Sequence, residues 1–147
     1  MQRLFLFFVL CIEGTINISN NSKVDYYKSR KKLFSNGDTL FYEGDSGNER
    51  LVRKEDFVGS KFFYEGDSGN ERLVQWTNDG KTWFYGKNEN LVKIEYTNGS
   101  TWFYEGDSGN ERLVRKEFSN WKLFYEGEFG NERLVRKEDF VGSKFFY

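Results

Sequence analysis

A Phe-Tyr pair recurs along the chain at Phe41, Phe63, Phe84, Phe103, Phe124 and Phe146, in steps of 22, 21, 19, 21 and 22 residues. A period this short confines the chain to stacked architectures, in which each repeat is one supersecondary unit packed against its neighbours. Four parts return in each period. An aromatic run (Trp102-Phe103-Tyr104) leads into a Gly-rich turn (Gly106-Asp107-Ser108-Gly109). A charged-apolar run (Glu111–Glu117) follows, and then a second turn such as Thr97-Asn98-Gly99-Ser100. Aromatic and β-branched residues fit a pleated sheet, while Asn, Asp, Ser and Gly supply turn conformations. One period therefore reads as one β-hairpin and the link to the next. The chain of 147 residues contains no proline, as paired strands require, because proline cannot donate to a sheet ladder.

Length differences between repeats test this reading. The distance from Phe to the following Val is 11 residues in every period except the one at Phe84, where it is 8 and "EGDSGNE" is replaced by "GKNEN". Loops tolerate such changes and strands do not. The expected fold is all-β: a single-layer antiparallel ribbon of stacked hairpins, about 21 residues each, over 33–147, with units starting near 41, 63, 84, 103 and 124. Simple alternation would place Val92, Ile94 and Tyr96 on one face, with Leu91, Lys93 and Glu95 on the other. It likewise sets Val114 and Phe118 against Leu113, Arg115 and Glu117.

Ahead of the repeats, Leu4–Ile12 is a run of nine apolar residues behind Arg3. It reads as the core of a signal peptide over 1–14, or else as a buried first strand. A polar lead-in over 15–32 ends in Lys28, Arg30, Lys31 and Lys32. The lone Cys11 has no internal disulfide partner. Sequons at Asn17, Asn20 and Asn98 are candidate glycosylation sites and agree with a secreted or cell-surface protein, a cytoplasmic one being the alternative. Twenty-two basic and 23 acidic residues leave a net charge of −1. That balance argues against a nucleic-acid partner and lends no support to membrane association.

Gly-Asp-Ser-Gly, around Ser46, Ser68 and Ser108, matches the setting of a serine nucleophile. The chain has no histidine to serve as its base, so these serines read as turn residues and no enzyme activity is expected. No cofactor is expected either. Asp45, Asp67 and Asp107 fall short of the oxygens a calcium loop needs, and His ligands for a transition metal are missing.

The turns and tyrosines carry a family resemblance. Asn36-Gly37 precedes Tyr42-Glu43-Gly44, and Asn98-Gly99 precedes Tyr104-Glu105-Gly106. Tyr64-Glu65-Gly66 and Tyr125-Glu126-Gly127 repeat the second half. This pattern resembles MORN repeats, with a longer gap from turn to Tyr and with "ERLVRKE" where that family carries Gly-x-Gly. The resemblance covers most of Leu33–Tyr147 and implies a scaffold that joins proteins, at membranes in some settings. "DGKTWFYGKNENLV" and "NGSTWFYEG" are also similar to bacterial choline- and glucan-binding hairpins. That similarity implies ligand contact through Trp83, Tyr85, Trp102 and Tyr104. Replacement of Trp by Leu40, Phe62 and Leu123 at matching positions points instead to packing. The expected function is thus a structural or protein-interaction scaffold, with an extracellular carbohydrate or cell-surface binder as the alternative. "GNERLVRKEDFVGSKFFY" occurs at both Gly47–Tyr64 and Gly130–Tyr147. The second copy ends in an aromatic strand, expected to expose an edge for a protein partner or for self-association.

Overall fold

The structure, a computed structural model, describes residues 12–15 and 28–147. Cys11, most of the apolar N-terminal run, Asn17 and Asn20 lie outside the described residues. The chain divides into two compact units, Met1–Leu73 and Val74–Tyr147. All the described secondary structure is β. The first unit holds β1 (Ile12–Thr15), β2 (Lys28–Leu33), β3 (Thr39–Glu43), β4 (Arg50–Glu55) and β5 (Lys61–Glu65), each antiparallel to the next. The unit boundary falls inside β6 (Arg72–Asn78). The second unit continues with β7 (Lys81–Tyr85), β8 (Leu91–Tyr96), β9 (Thr101–Glu105), β10 (Arg112–Glu117), β11 (Trp121–Glu126), β12 (Arg133–Asp139) and β13 (Lys144–Phe146). Here too each strand pairs antiparallel with its successor. The single-layer sheet of repeated hairpins matches the fold expected from the period.

Facing within the strands departs from simple alternation. In the β3–β4 hairpin Phe41 lies opposite Arg53 and Tyr42 opposite Leu51, so Val52 is an extra residue. The same bulge recurs at Val92, Val114 and Val135. An inserted residue reverses the parity of the strand beyond it. Leu91 therefore sits opposite Tyr85, on the face that carries Trp83 and Ile94, and not with Lys93. Leu113 likewise shares a face with Tyr104, Trp102 and Lys116 rather than with Arg115. The bulged valines go to the other face, where Val52 borders the same hollow as Phe41 and Val135 the same hollow as Phe124.

The two faces have different chemistry. On one, Phe41, Phe84, Phe103 and Phe124 each lie under a cation from the opposing strand. Arg53 stands 3.8 Å from the Phe41 ring centroid, Lys93 4.0 Å from Phe84, Arg115 4.0 Å from Phe103 and Arg136 3.9 Å from Phe124. Each of these cations also meets the carboxylate two residues on, at 3.5 Å for Arg53–Glu55 and 2.7 Å for Lys93–Glu95. Exposed ion pairs contribute about 0–1 kcal/mol and exposed cation–ring contacts about 0.5–1 kcal/mol, so the two are comparable along this stripe. The other face carries the tryptophans and tyrosines. Among the described residues one sheet layer has no second layer over it, and burial is shallow. Ile94 is the one large apolar side chain among the described residues that counts as buried, at 8% exposure.

Candidate functional site

Ile94 organises the four aromatic residues singled out in the sequence. Trp83 of β7 and Trp102 of β9 both lie directly opposite it, one on each side of β8. Tyr85 and Tyr104, two residues further along their strands, lie opposite Leu91 and Leu113. All four rings thus occupy one face of the second unit. The two indoles do not sandwich an open gap, because the isoleucine fills the row between them. Each indole packs on a ring of its own hairpin or link. Trp83 stacks on Trp76 at 4.2 Å and 17°, and Trp102 tilts against Tyr96 at 5.1 Å and 48°. Lys116 Nζ stands 3.9 Å over the Trp102 ring. Trp102 Nε1 is buried and has no hydrogen-bond partner. Burial, with Tyr96 and Glu132 adding to it, pushes the Tyr104 hydroxyl up to about 12. Burial and then Glu111 push Tyr85 in the same direction. Chemically this is an apolar, half-buried ring surface with neutral phenols and one indole donor.

A second group of residues, not recognised from sequence, joins the β5–β6, β9–β10 and β11–β12 hairpins each to the one before it. The bulge takes the Leu N–H out of the regular ladder, and a glutamate from the next Gly-rich turn accepts it. Leu51 N–H donates to Glu71 Oε1 at 3.0 Å, Leu91 to Glu111 at 2.9 Å and Leu113 to Glu132 at 3.1 Å. The second carboxylate oxygen accepts from the glycine two residues earlier, at 3.0 Å for Gly69–Glu71 and 2.9 Å for Gly109–Glu111. Glu49 accepts from Gly47 in the same way and pairs with Arg30 of β2. A further link runs from the residue before each Leu. Arg50 donates to the Gly66 carbonyl at 3.4 Å, Asn90 to Gly106 at 3.0 Å and Arg112 to Gly127 at 3.4 Å. One signal for these residues was present in the sequence. Asn-Glu survives in "EFGNE", where the Asp-Ser of the turn has changed to Glu-Phe.

These bonds hold the carboxyls below their ordinary values. At Glu71 and Glu111 the main cause is the Leu51 or Leu91 amide; at Glu49 and Glu132 it is the glutamate's own amide. A carboxyl depressed on folding contributes stability above its unfolded value, and that stability is lost as pH falls through the folded value. The urea midpoint should therefore be level from neutral pH down to about 5 and fall below about 4.3, the unfolded glutamate value. The quadruple variant E49Q/E71Q/E111Q/E132Q should start lower at neutral pH and show a flatter acid limb. If its acid limb matches that of the parent protein, these carboxylates are not the source of the dependence.

The Gly-Asp-Ser-Gly turns are equally engaged in structure. Asn48 N–H donates to the Asp45 carbonyl at 3.0 Å, with Gly47 at φ 95°. Ser68 Oγ donates to the Glu49 carbonyl of the preceding turn at 2.8 Å. Asn98 lies exposed in the β8–β9 turn, where its Oδ1 accepts from Ser100 N at 2.9 Å and from Ser100 Oγ at 2.7 Å. Comparison with protein-family models and with curated proteins finds no match to this sequence.

Proposed function

We propose that the protein is a non-enzymatic, MORN-like repeat scaffold with a structural or protein-binding role. The observation carrying this reading is that the side chains repeated without change hold hairpin to hairpin. Glu71, Glu111 and Glu132 bridge successive hairpins, while the Phe rings stack with Arg or Lys inside a hairpin. Such residues build a stackable surface, and partners are met by the side chains left exposed on it. A ring-mounted carbohydrate or cell-surface ligand is the second reading, favoured by the unpartnered Trp102 Nε1.

Trp83→Ala and Trp102→Ala separate the two. On the scaffold reading each variant loses about 2–3 kcal/mol of stability, at the low end for an aromatic truncation because the rings are half-buried. Neither the parent nor the variants should bind soluble glucan or choline in calorimetry. Binding of either ligand by the parent, abolished in variants that keep their melting temperature, would overturn the scaffold reading.

A further inference from the structure

Two turns of this chain carry Asn-Gly at the same place in the same backbone frame. In the β2–β3 turn Gly37 N–H donates to the Phe34 carbonyl at 3.0 Å, and Phe34 N–H to the Asp38 carbonyl at 2.9 Å. In the β8–β9 turn Gly99 N–H donates to the Tyr96 carbonyl at 2.9 Å, and Tyr96 N–H to the Ser100 carbonyl at 3.0 Å. Both asparagines are exposed. Each Oδ1 accepts the N–H two residues on, that of Asp38 at 3.1 Å and that of Ser100 at 2.9 Å. Such a bond folds the side-chain amide back over the intervening glycine nitrogen.

The turns differ in what else meets the asparagine. Ser100 Oγ donates to Asn98 Oδ1 at 2.7 Å, from a serine only 5% exposed. At the matching position Asp38 turns its carboxylate to Lys54 at 3.0 Å, and a carboxylate has no proton to donate. Phe57 also crowds the first turn. A Cβ at Gly37 would stand 2.9 Å from the Phe57 Cβ, whereas nothing lies within 4 Å of the same point at Gly99.

We infer that Asn98 is a self-modifying site, which loses its side-chain amide to attack by the Gly99 backbone nitrogen. Gly99 N gives its proton to a solvent base and bonds to Asn98 Cγ, and the carbonyl electron pair moves onto Oδ1. Two donors, Ser100 N–H and Oγ–H, already meet the atom where that charge collects. Hydrogen bonds to an oxyanion are stronger than those to a neutral amide oxygen, so both strengthen as the bond forms. Collapse of the intermediate breaks Cγ–Nδ2, and the nitrogen takes a proton from water and leaves as ammonia. Water then opens the cyclic imide at either carbonyl, giving aspartate or isoaspartate. Loss of the Gly99-to-Tyr96 bond slows the step, but Asn36 loses the Gly37-to-Phe34 bond in the same way, so this cost cancels between the sites. The product places a new negative charge in an exposed turn, and the isoaspartyl form adds a carbon to its backbone. The nitrogen that leaves is the one a glycan would occupy, so the two modifications of Asn98 exclude each other. The inference does not depend on the scaffold reading.

Peptide mapping by mass spectrometry, on the full chain made without glycans and incubated at mildly alkaline pH, reads both sites at once. In the folded protein Asn98 should convert about three to ten times faster than Asn36. In strong urea the two rates should converge. S100A should bring Asn98 down to the rate of Asn36, with its melting temperature read alongside. D38S tests the same hydroxyl at a position that is not buried, since it gives the β2–β3 turn the Asn-Gly-Ser of the other. It should raise the rate at Asn36 severalfold, and D38A should not. Equal rates in the folded parent, a ratio that survives in urea, or a D38S variant no faster than D38A would each overturn the inference.

Discussion

Replacing Ile94 with alanine lowers the unfolding free energy by about 2–4 kcal/mol. The side chain is buried between Trp83 and Trp102, and both pair with it directly across their strands. Removing three carbons leaves a void that two rigid indoles, each already packed on Trp76 or Tyr96, fill poorly. Among the described residues no second layer covers this face, so water or a tilted ring takes up part of the space and the loss stays below the largest core truncations. Urea denaturation reads the effect, with Val92→Ala as control. That valine sits on the opposite, half-exposed face and should cost less than about 1 kcal/mol. Equal losses at the two positions would mean that the row of Trp, Ile and Trp is not the core of this unit.

The second large effect is expected at Gly106. Its φ is 122°, and a Cβ there would stand 2.6 Å from the Asn110 carbonyl oxygen. Backbone of this kind is essentially confined to glycine, at a cost of about 1–3 kcal/mol for other residues before any overlap is added. Gly106→Ala should therefore cost about 3–4 kcal/mol. Gly109, three residues on, has φ 87° and nothing within 4 Å of the corresponding Cβ. Gly109→Ala should cost only about 1 kcal/mol, the penalty for a positive φ in open space. Thermal unfolding of the two variants gives the comparison. If they melt together, the close approach of Gly106 to the Asn110 carbonyl plays no part in the turn.

Much of this architecture was legible before any coordinates. The Phe-Tyr period, the two turn chemistries and the loop-confined length changes are local properties, and they correctly imply antiparallel hairpins. The bulges at Val52, Val92, Val114 and Val135 were not legible, because a bulge is a relation between two strands and leaves no mark in one of them. Assigning Leu91 and Leu113 to the charged face was the direct result. The bridging role of Glu71 and Glu111 was hidden for a similar reason, since each has its partner 20 residues away in the preceding hairpin. Strand β2 was read as lead-in because "KSRKKL" has neither aromatic residues nor alternation. Its backbone nonetheless pairs with β1 and β3, and Lys32 stands over the Tyr42 ring at 4.7 Å. Trp83, Tyr85, Trp102 and Tyr104 stand out in the sequence by type and spacing. Their common face follows from the register, and the isoleucine dividing them appears only when three strands lie side by side.

The glutamate that reaches back to the preceding hairpin gives the array a direction. A hairpin contributes its own ladder, but the amide freed by its bulge is satisfied only by the repeat that follows. Excising the period between the bulges at Val92 and Val114 would bring the Leu91 amide to Glu132, a donor to an acceptor. A cut in the middle of a period strands a carboxylate on one side and an amide on the other. These joints are therefore kept when the array changes by whole units, and lost when it is cut within one.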